Sequence, residues 1–294
     1  MKTDKIGSRM KEYYEQIPKT KLMRRCPVII RIDGRAFHSF CKRFQKPFDP
    51  VMMEAMQRTT KYLCEHIQGC VFGYSQSDEI SLLLIDYKKL NSSAWFDNEV
   101  QKMCSISASM ATMAFNRILN EISMDIDPSI NIYVDPTGEY AEEVEEQIAI
   151  AKNYGYDGDF DNWCRQCGAY NRAINKGAMF DSRVFSIPRE EVTNYFYWRQ
   201  LDAIRNSIEM VGQANYSPKE LHKKNCNMIC DMLLEKDIIW SELPIDCQRG
   251  SCCYKETYKL KDMTRNKWII DHNIPLFKNE DRFYIDRWIG PEEL

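Results

Sequence analysis

Pro27-Val28-Ile29-Ile30-Arg31-Ile32-Asp33-Gly34-Arg35 is the stretch on which the fold turns. Val28 to Ile32 form a short β-branched run, and Asp33-Gly34 closes it, which reads as a buried strand running into a turn. Asp49-Pro50 then opens a helix, with the carboxylate as cap and the proline at the first helical position. Val51, Met52, Ala55, Met56, Tyr62 and Leu63 keep broadly helical spacing as far as His66, and Gly69 ends the element. Cys70 to Tyr74 and Ile80 to Ile85 read as the second and third strands; only Ser75 to Glu79 separate them, which suits an antiparallel hairpin. A second helix is expected from about Asn98 to Leu119, and Arg183 to Ile187 supply a fourth strand.

The order is βαββαβ, an α+β, ferredoxin-like unit: a four-stranded antiparallel sheet with both helices on one face. On this reading residues 1–212 form the catalytic domain, interrupted by an acidic insertion at about 123–176, and 213–294 form a C-terminal helical/β subdomain. The insertion carries Pro128, Pro136-Thr137-Gly138 and two further glycines at 155 and 158, so part of it is expected to be irregular and solvated. A long helix starts at Pro188-Arg189-Glu190-Glu191, Ser217-Pro218-Lys219-Glu220 caps another, and Gln248-Arg249-Gly250-Ser251 reads as a hairpin tip.

Bulk composition narrows the classes. At 294 residues, 44% hydrophobic and 28% charged, the chain has ample length for a core. No apolar run reaches the roughly 20 residues of a membrane helix, and the start of the chain lacks the apolar core of a secretory signal. A cytoplasmic protein without a membrane partner is expected. Its 12 cysteines lie in apolar surroundings and read as small buried hydrophobes. Cys164-Arg-Gln-Cys167, the only CxxC, has no second ligand pair to complete a zinc site. Net charge is −3, but removing the acidic stretch from Asp125 to Asp161 leaves a basic remainder, which permits an RNA partner without demanding one.

The chemistry concentrates at the strand ends. In a βαββαβ sheet the first and third strands are central neighbours, so Asp33, Asp78 and Glu79 converge at one edge. Clustered hard oxygens favour Mg²⁺, which takes the rest of its shell from water and substrate phosphates. Two such ions about 3.5–4 Å apart would activate an attacking oxygen and stabilise a leaving one. Taken singly, Asp-Gly is most often a turn and Ser-Asp-Glu a cap; their joint placement carries the reading. In Gly34-Arg35-Ala36-Phe37-His38, Gly34 lets backbone approach a ligand, and successive N–H groups would cradle a triphosphate. Arg31, Arg35 and Lys46 add positive charge there. His38 reads either as a packed histidine or as a phosphate or general-acid group. Lys102 would reach a further phosphate, although helix-surface lysines are usually only solvated. Tyr195-Phe196-Tyr197-Trp198 reads first as core, with base stacking as the minority role.

These residues bring a resemblance. Arg31 to Arg35, Phe37-His38-Ser39-Phe40, Lys46-Pro47, Gly73 to Glu79, Phe180 to Val184 and Tyr195 to Gln200 are similar, in this order, to the motifs of the tRNA-histidine guanylyltransferase family, which includes 3′–5′ RNA polymerases. The resemblance implies a polymerase-type palm. It also implies activation of a tRNA 5′ monophosphate by a nucleoside triphosphate (ATP or GTP), then attack by the 3′ hydroxyl of an incoming nucleotide. On that pattern Asp33, the Gly34 carbonyl and Asp78 hold two Mg²⁺ ions with Glu79 in support. The 34–38 backbone, Lys46, Ser77 and Lys102 grip triphosphate, and Asp49 lies near the base. A homo-oligomer, a tetramer, is expected on the same ground. Eukaryotic members carry a His-Ile-Asn-Asn-type motif after the Trp-Arg-Gln helix; here Asp202-Ala203-Ile204-Arg205-Asn206-Ser207 keeps an Asn and lacks the His. This is more similar to the template-dependent branch, which repairs shortened tRNA 5′ ends.

Two rivals use related parts. A nucleotidyl cyclase would place two carboxylates on a similar sheet and need no RNA. A non-catalytic RNA-recognition module would show aromatic residues on its central strands, where this chain has Ile, Leu and acids.

Overall fold

The computed structural model describes residues 4–126, 148–260 and 263–290. The expected βαββαβ unit is present. Strands β1 (Val28–Gly34), β2 (Cys70–Gln76), β3 (Glu79–Leu84) and β4 (Phe180–Ser186) pair antiparallel in the order β4-β1-β3-β2. β1 and β3 are central and nearly fully buried, because helices cover the sheet on both sides.

One face carries α1 (Pro50–His66), α2 (Val100–Ile126) and α3 (Phe160–Lys176). Asp49 caps α1 by accepting the Met52 N–H at 2.9 Å, with Pro50 inside the first turn. Small residues of α2, Ser107, Ala111 and Ala114, are buried against the sheet, while Phe115 and Leu119 fill the space beyond it. The opposite face is closed by α4 (Arg189–Asn215) and by residues 274–289, whose Ile274, Phe277, Ile285 and Ile289 form a second core with Ile29, Leu83, Tyr195 and Phe196. Tyr195 and Phe196 are thus core residues, as their sequence suggested, and Trp198 is 52% exposed.

Three expectations change. The sheet has six strands: β5 (Ser251–Leu260) pairs with β2, and β6 (Met263–Asp271) pairs with β5, so part of 213–294 extends the same sheet. Residues 248–251 are not a hairpin tip. Ile245–Arg249 is a short helix ended by Gly250, whose φ of +82° and approach of a would-be Cβ to the Ser75 carbonyl at 2.4 Å admit only glycine. The described end of the acidic insertion is no solvated excursion. Trp163 and Tyr170 of α3 are buried in the main core, and the Trp163 indole N–H donates to the Ile126 carbonyl at 3.1 Å. The polar spacing of that stretch hid an apolar stripe at 163, 167, 170 and 174. The irregular part expected around Pro128 and Pro136-Thr137-Gly138 lies outside the described residues.

Phe37 anchors the loop after β1. Its ring meets Phe40 and Phe180 at 5.0 Å and Phe115 at 5.5 Å between centroids. Phe37→Ala is expected to cost about 3–5 kcal/mol of stability, the usual range for a buried aromatic truncated to Ala, read as a lowered midpoint in urea; an unchanged midpoint would show that the ring does not hold the loop.

Candidate active site

Asp33 ends β1 and stands directly opposite Glu79 at the start of β3 in the strand register. Ser77-Asp78 is the two-residue turn between β2 and β3, with Ser77 in the left-handed region at φ +50° and its hydroxyl donating to Asp78 Oδ1 at 3.2 Å. The Gly34 N–H donates to the Asp78 carbonyl at 3.0 Å, and the Arg35 N–H to the Met179 carbonyl at 2.8 Å. Turn, strand end and loop are therefore tied together by backbone bonds, and the carboxylates of Asp33 and Asp78 share one edge. Burial pushes the Asp78 carboxyl above its usual range, and the charge of Asp33 pushes it further.

Glu79 is differently placed. Its two oxygens receive Arg199 Nε at 2.7 Å and Nη2 at 2.8 Å, with Arg31 Nε 3.8 Å away; Glu79 and Arg199 are both buried. Burial alone would lower the Arg199 pKa, but its bonds to Glu79 hold it above its ordinary value; burial pushes the Glu79 carboxyl up, and Arg199 opposes that shift. Arg31, expected to serve phosphate, thus faces Glu79.

The edge opens on a cleft of about 380 Å³, within the range of small-molecule sites. Its walls include His38, Lys46, Asp49, Ser77 and Asp78 on one side and Ala203, Asn206, Ser207 and Met210 of α4 on the other. Phe37 lines it too, but its ring belongs to the aromatic core and supplies no polar contact. Arg35 and Ala36 are exposed in the loop and are not cleft walls. Gly34 is explained by packing as much as by ligand approach: a Cβ there would meet the Phe37 ring at 2.3 Å. Ala36, in the left-handed region, is the N-cap of the single turn Phe37–Phe40, whose first amides have no intrahelical acceptor.

Asp49 lines the cleft with its carboxylate already engaged. Besides capping α1 it accepts the Gln45 N–H at 2.8 Å, the Tyr170 hydroxyl at 2.9 Å and Gln166 Nε2 at 3.2 Å. Burial pushes its pKa up, and the bonds from Met52, Gln45 and Tyr170 oppose the shift. Lys102 is not brought to the cleft within this chain. Along β4, α2 runs from Ser107 beside Ser182 to Thr112 beside Phe180 and Asn116 beside Ala178. Lys102, before Ser107, therefore sits toward the other end of the sheet from Asp33, 3.9 Å from Glu99.

The donor set suits one kind of metal. Among the described residues no group of three or more His, Cys, Asp or Glu side chains forms a cage, Cys164 and Cys167 included. Two carboxylates beside a backbone carbonyl would hold Mg²⁺ only with phosphate oxygens and water completing the shell. Burial pushes the cleft thiols Cys41 and Cys247 up to about 12, with Asp49 and Asp78 adding at Cys41 and Asp246 at Cys247, so neither is a thiolate nucleophile.

Comparison with known proteins now bears on this geometry. The model of the Thg1 family, tRNAHis guanylyltransferase, matches residues 7–188. The chain belongs to the tRNAHis guanylyltransferase family. A bacterial tRNA(His) guanylyltransferase (Thg1)-like protein solved in complex with ATP is 37% identical, with 97% of this chain and 99% of that one covered and a TM-score of 0.72. The corresponding structure with GTP gives 36% identity over the same shares and a TM-score of 0.69. The probable tRNA(His) guanylyltransferase of Dictyostelium discoideum is 24% identical, covering 83% of this chain and 84% of its own length.

The 202–207 stretch faces the cleft: Ala203, Asn206 and Ser207 are walls, and Asp202 pairs with Arg199 and Arg205. The roles of Arg199, Asp202 and the Gln166–Tyr170 pair escaped the sequence reading; the 3.6-residue spacing of 199, 203, 206 and 210 was the available signal for the first group.

The Asp78 shift has a sign. A carboxyl raised in the folded state binds a proton more tightly there than when unfolded, so its contribution to stability falls as pH rises through the folded pKa. Asp78→Asn is expected to raise the melting temperature at pH 7. The gain should shrink as pH falls through the range just above ordinary carboxylates. A variant less stable than the parent at pH 7 would contradict the assigned burial and repulsion.

Proposed function

We propose that this chain is a 3′–5′ nucleotidyltransferase that adds nucleotides to the 5′ end of tRNA, with ATP or GTP as the activating nucleotide. The observation that carries the reading is the nearness of Asp33 to Asp78 at one sheet edge, with Asp78 walling a cleft together with His38, Lys46 and α4. The ATP and GTP complexes of the bacterial relative support it. Asp33, Asp78 and the Gly34 carbonyl would hold Mg²⁺, which supplies Lewis-acid stabilisation of phosphoryl oxygens and a more acidic attacking hydroxyl. Lys46 and the Phe37 and His38 amides bind triphosphate oxygens, and Ser77 orients Asp78. A cation held between Asp33 and Asp78 would offset the repulsion that burial and proximity impose on the two carboxylates. The α4 wall positions the acceptor RNA or the base.

No described helix is long and apolar enough to cross a membrane, in keeping with work on tRNA in the cytoplasm. Ile6, Met10, Tyr13, Tyr14 and Ile17, all exposed at helical spacing near the start of the chain, support the homo-oligomer inferred from the family. The cleft-facing Asn206, without the His of the eukaryotic motif, favours templated repair of shortened 5′ ends over strict guanylylation of histidine tRNA.

The test supplies purified protein with 5′-truncated tRNAs, labelled nucleotides and Mg²⁺. Incorporation at the 5′ end is expected, restoring the pair dictated by the opposite 3′ strand, and Asp78→Ala should lose it with the fold intact. Cyclic nucleotide formed without RNA would overturn the reading, and so would unimpaired incorporation by Asp78→Ala.

A further inference from the structure

We propose that the buried Arg199–Glu79 ion pair is a positioning device that locks the cleft-facing side of α4 to the carboxylate edge of the sheet and keeps Glu79 out of the metal-ligand set. The inference rests on the nucleotidyltransferase reading above and assigns Glu79 a task different from that of Asp33 and Asp78.

Three observations carry it. First, Glu79 has its oxygens engaged by the Arg199 fork at 2.7 and 2.8 Å, the bidentate geometry that fixes distance and angle together. A carboxylate held this way has one lone pair on each oxygen committed to the guanidinium and its orientation fixed toward α4, whereas no arginine fork holds Asp33 or Asp78 at the same edge. Second, the pair lies at the crossing of both halves of the site. Glu79 adjoins Asp78 and stands opposite Asp33. Arg199 begins the stripe 199, 203, 206, 207, 210, whose last four members wall the cleft. Third, α4 is docked on β3 at two points. The Ser81 and Tyr195 hydroxyls bond at 2.8 Å, two residues along β3 and one turn along α4 from the ion pair. Two polar links in step along strand and helix, added to the apolar packing of Val192 and Phe196, define the register of α4 on β3.

The arrangement continues outward. Arg199 Nη2 also donates to Asp202 at 2.8 Å, Asp202 accepts from Arg205, and the Arg199 guanidinium lies 4.5 Å from the Trp198 ring centroid. Arg199 is thus restrained from several sides and cannot swing away from Glu79 cheaply. Stability alone is a poor account of such a pair, because well-packed apolar residues commonly serve a buried site as well or better.

The experiment measures binding, so it does not depend on turnover. Full-length protein and the variants Glu79→Gln, Arg199→Met, their double, Asp202→Asn and Asp78→Asn are titrated with Mn²⁺ by electron paramagnetic resonance and with ATP by equilibrium dialysis. Glu79→Gln should keep Mn²⁺ affinity within about twofold of the parent, whereas Asp78→Asn, which alters a direct ligand, should lose at least the roughly 10–100-fold that follows loss of a group orienting a ligand. ATP affinity should fall about tenfold in Glu79→Gln and Arg199→Met alike, and no further in the double, as for two residues acting as one unit. Asp202→Asn, which removes only the outer contact, should give a smaller loss in the same direction and keeps the test alive if the buried variants do not fold. The proposal is overturned if Glu79→Gln loses Mn²⁺ as Asp78→Asn does, if the two ATP effects multiply, or if Asp202→Asn leaves ATP binding unchanged. Parent protein that binds neither Mn²⁺ nor ATP would remove the nucleotidyltransferase reading and this inference with it.

Discussion

Arg199 meets Glu79 with two parallel N–H···O bonds at the place where the sheet brings three carboxylates together. Without a cation, Asp33, Asp78 and Glu79 would repel one another in a partly desolvated corner, and a strand register that sets Asp33 opposite Glu79 would be electrostatically unfavourable. The guanidinium sets a positive charge against one of the three. On the function proposed above, the remaining two would hold a cation that arrives with a triphosphate. One buried arginine thereby occupies Glu79 and joins the sheet edge to the helix forming the far wall of the cleft.

The rest of the fold keeps that corner rigid. Both faces of β1 and β3 are covered, so neither strand can slip without moving an entire apolar face. The loop after β1 is nailed into the core by Phe37, Phe40 and Phe44, and Phe44 in turn touches Tyr170 at 5.0 Å. Tyr170 and Gln166 of α3 then hold Asp49, the cap of α1. The acidic segment, whose function the sequence left open, therefore contributes in its described part the helix that fixes one wall of the cleft.

Much of this was legible in the sequence because it depends on local pattern. Val28–Ile32, the Asp49-Pro50 cap and the short connection at Ser77-Asp78 each specify their element with residues only a few positions apart. The strand order then followed from the βαββαβ sequence of elements, and the carboxylates at the edge followed from the strand order. What was not legible depends on partners far apart in the chain. Glu79 and Arg199 are 120 residues apart, and nothing near either one announces that the first is neutralised by the second. The place of Lys102 was not legible for the same reason: its distance from Asp33 within the chain is set by which end of α2 packs beside Phe180, a tertiary choice. Gly250 looked like a turn glycine and is one, but the turn ends a helix instead of joining two strands, because strand β5 begins immediately after it.

Diffraction at the manganese anomalous edge, from crystals grown with ATP and Mn²⁺, tests the division of labour among the three carboxylates most directly. Metal density is predicted about 2.0–2.3 Å from oxygens of both Asp33 and Asp78, with triphosphate oxygens completing its shell and Glu79 still held by Arg199. A metal bound through Glu79, or a triphosphate lying away from the 36–38 amides and Lys46, would contradict it.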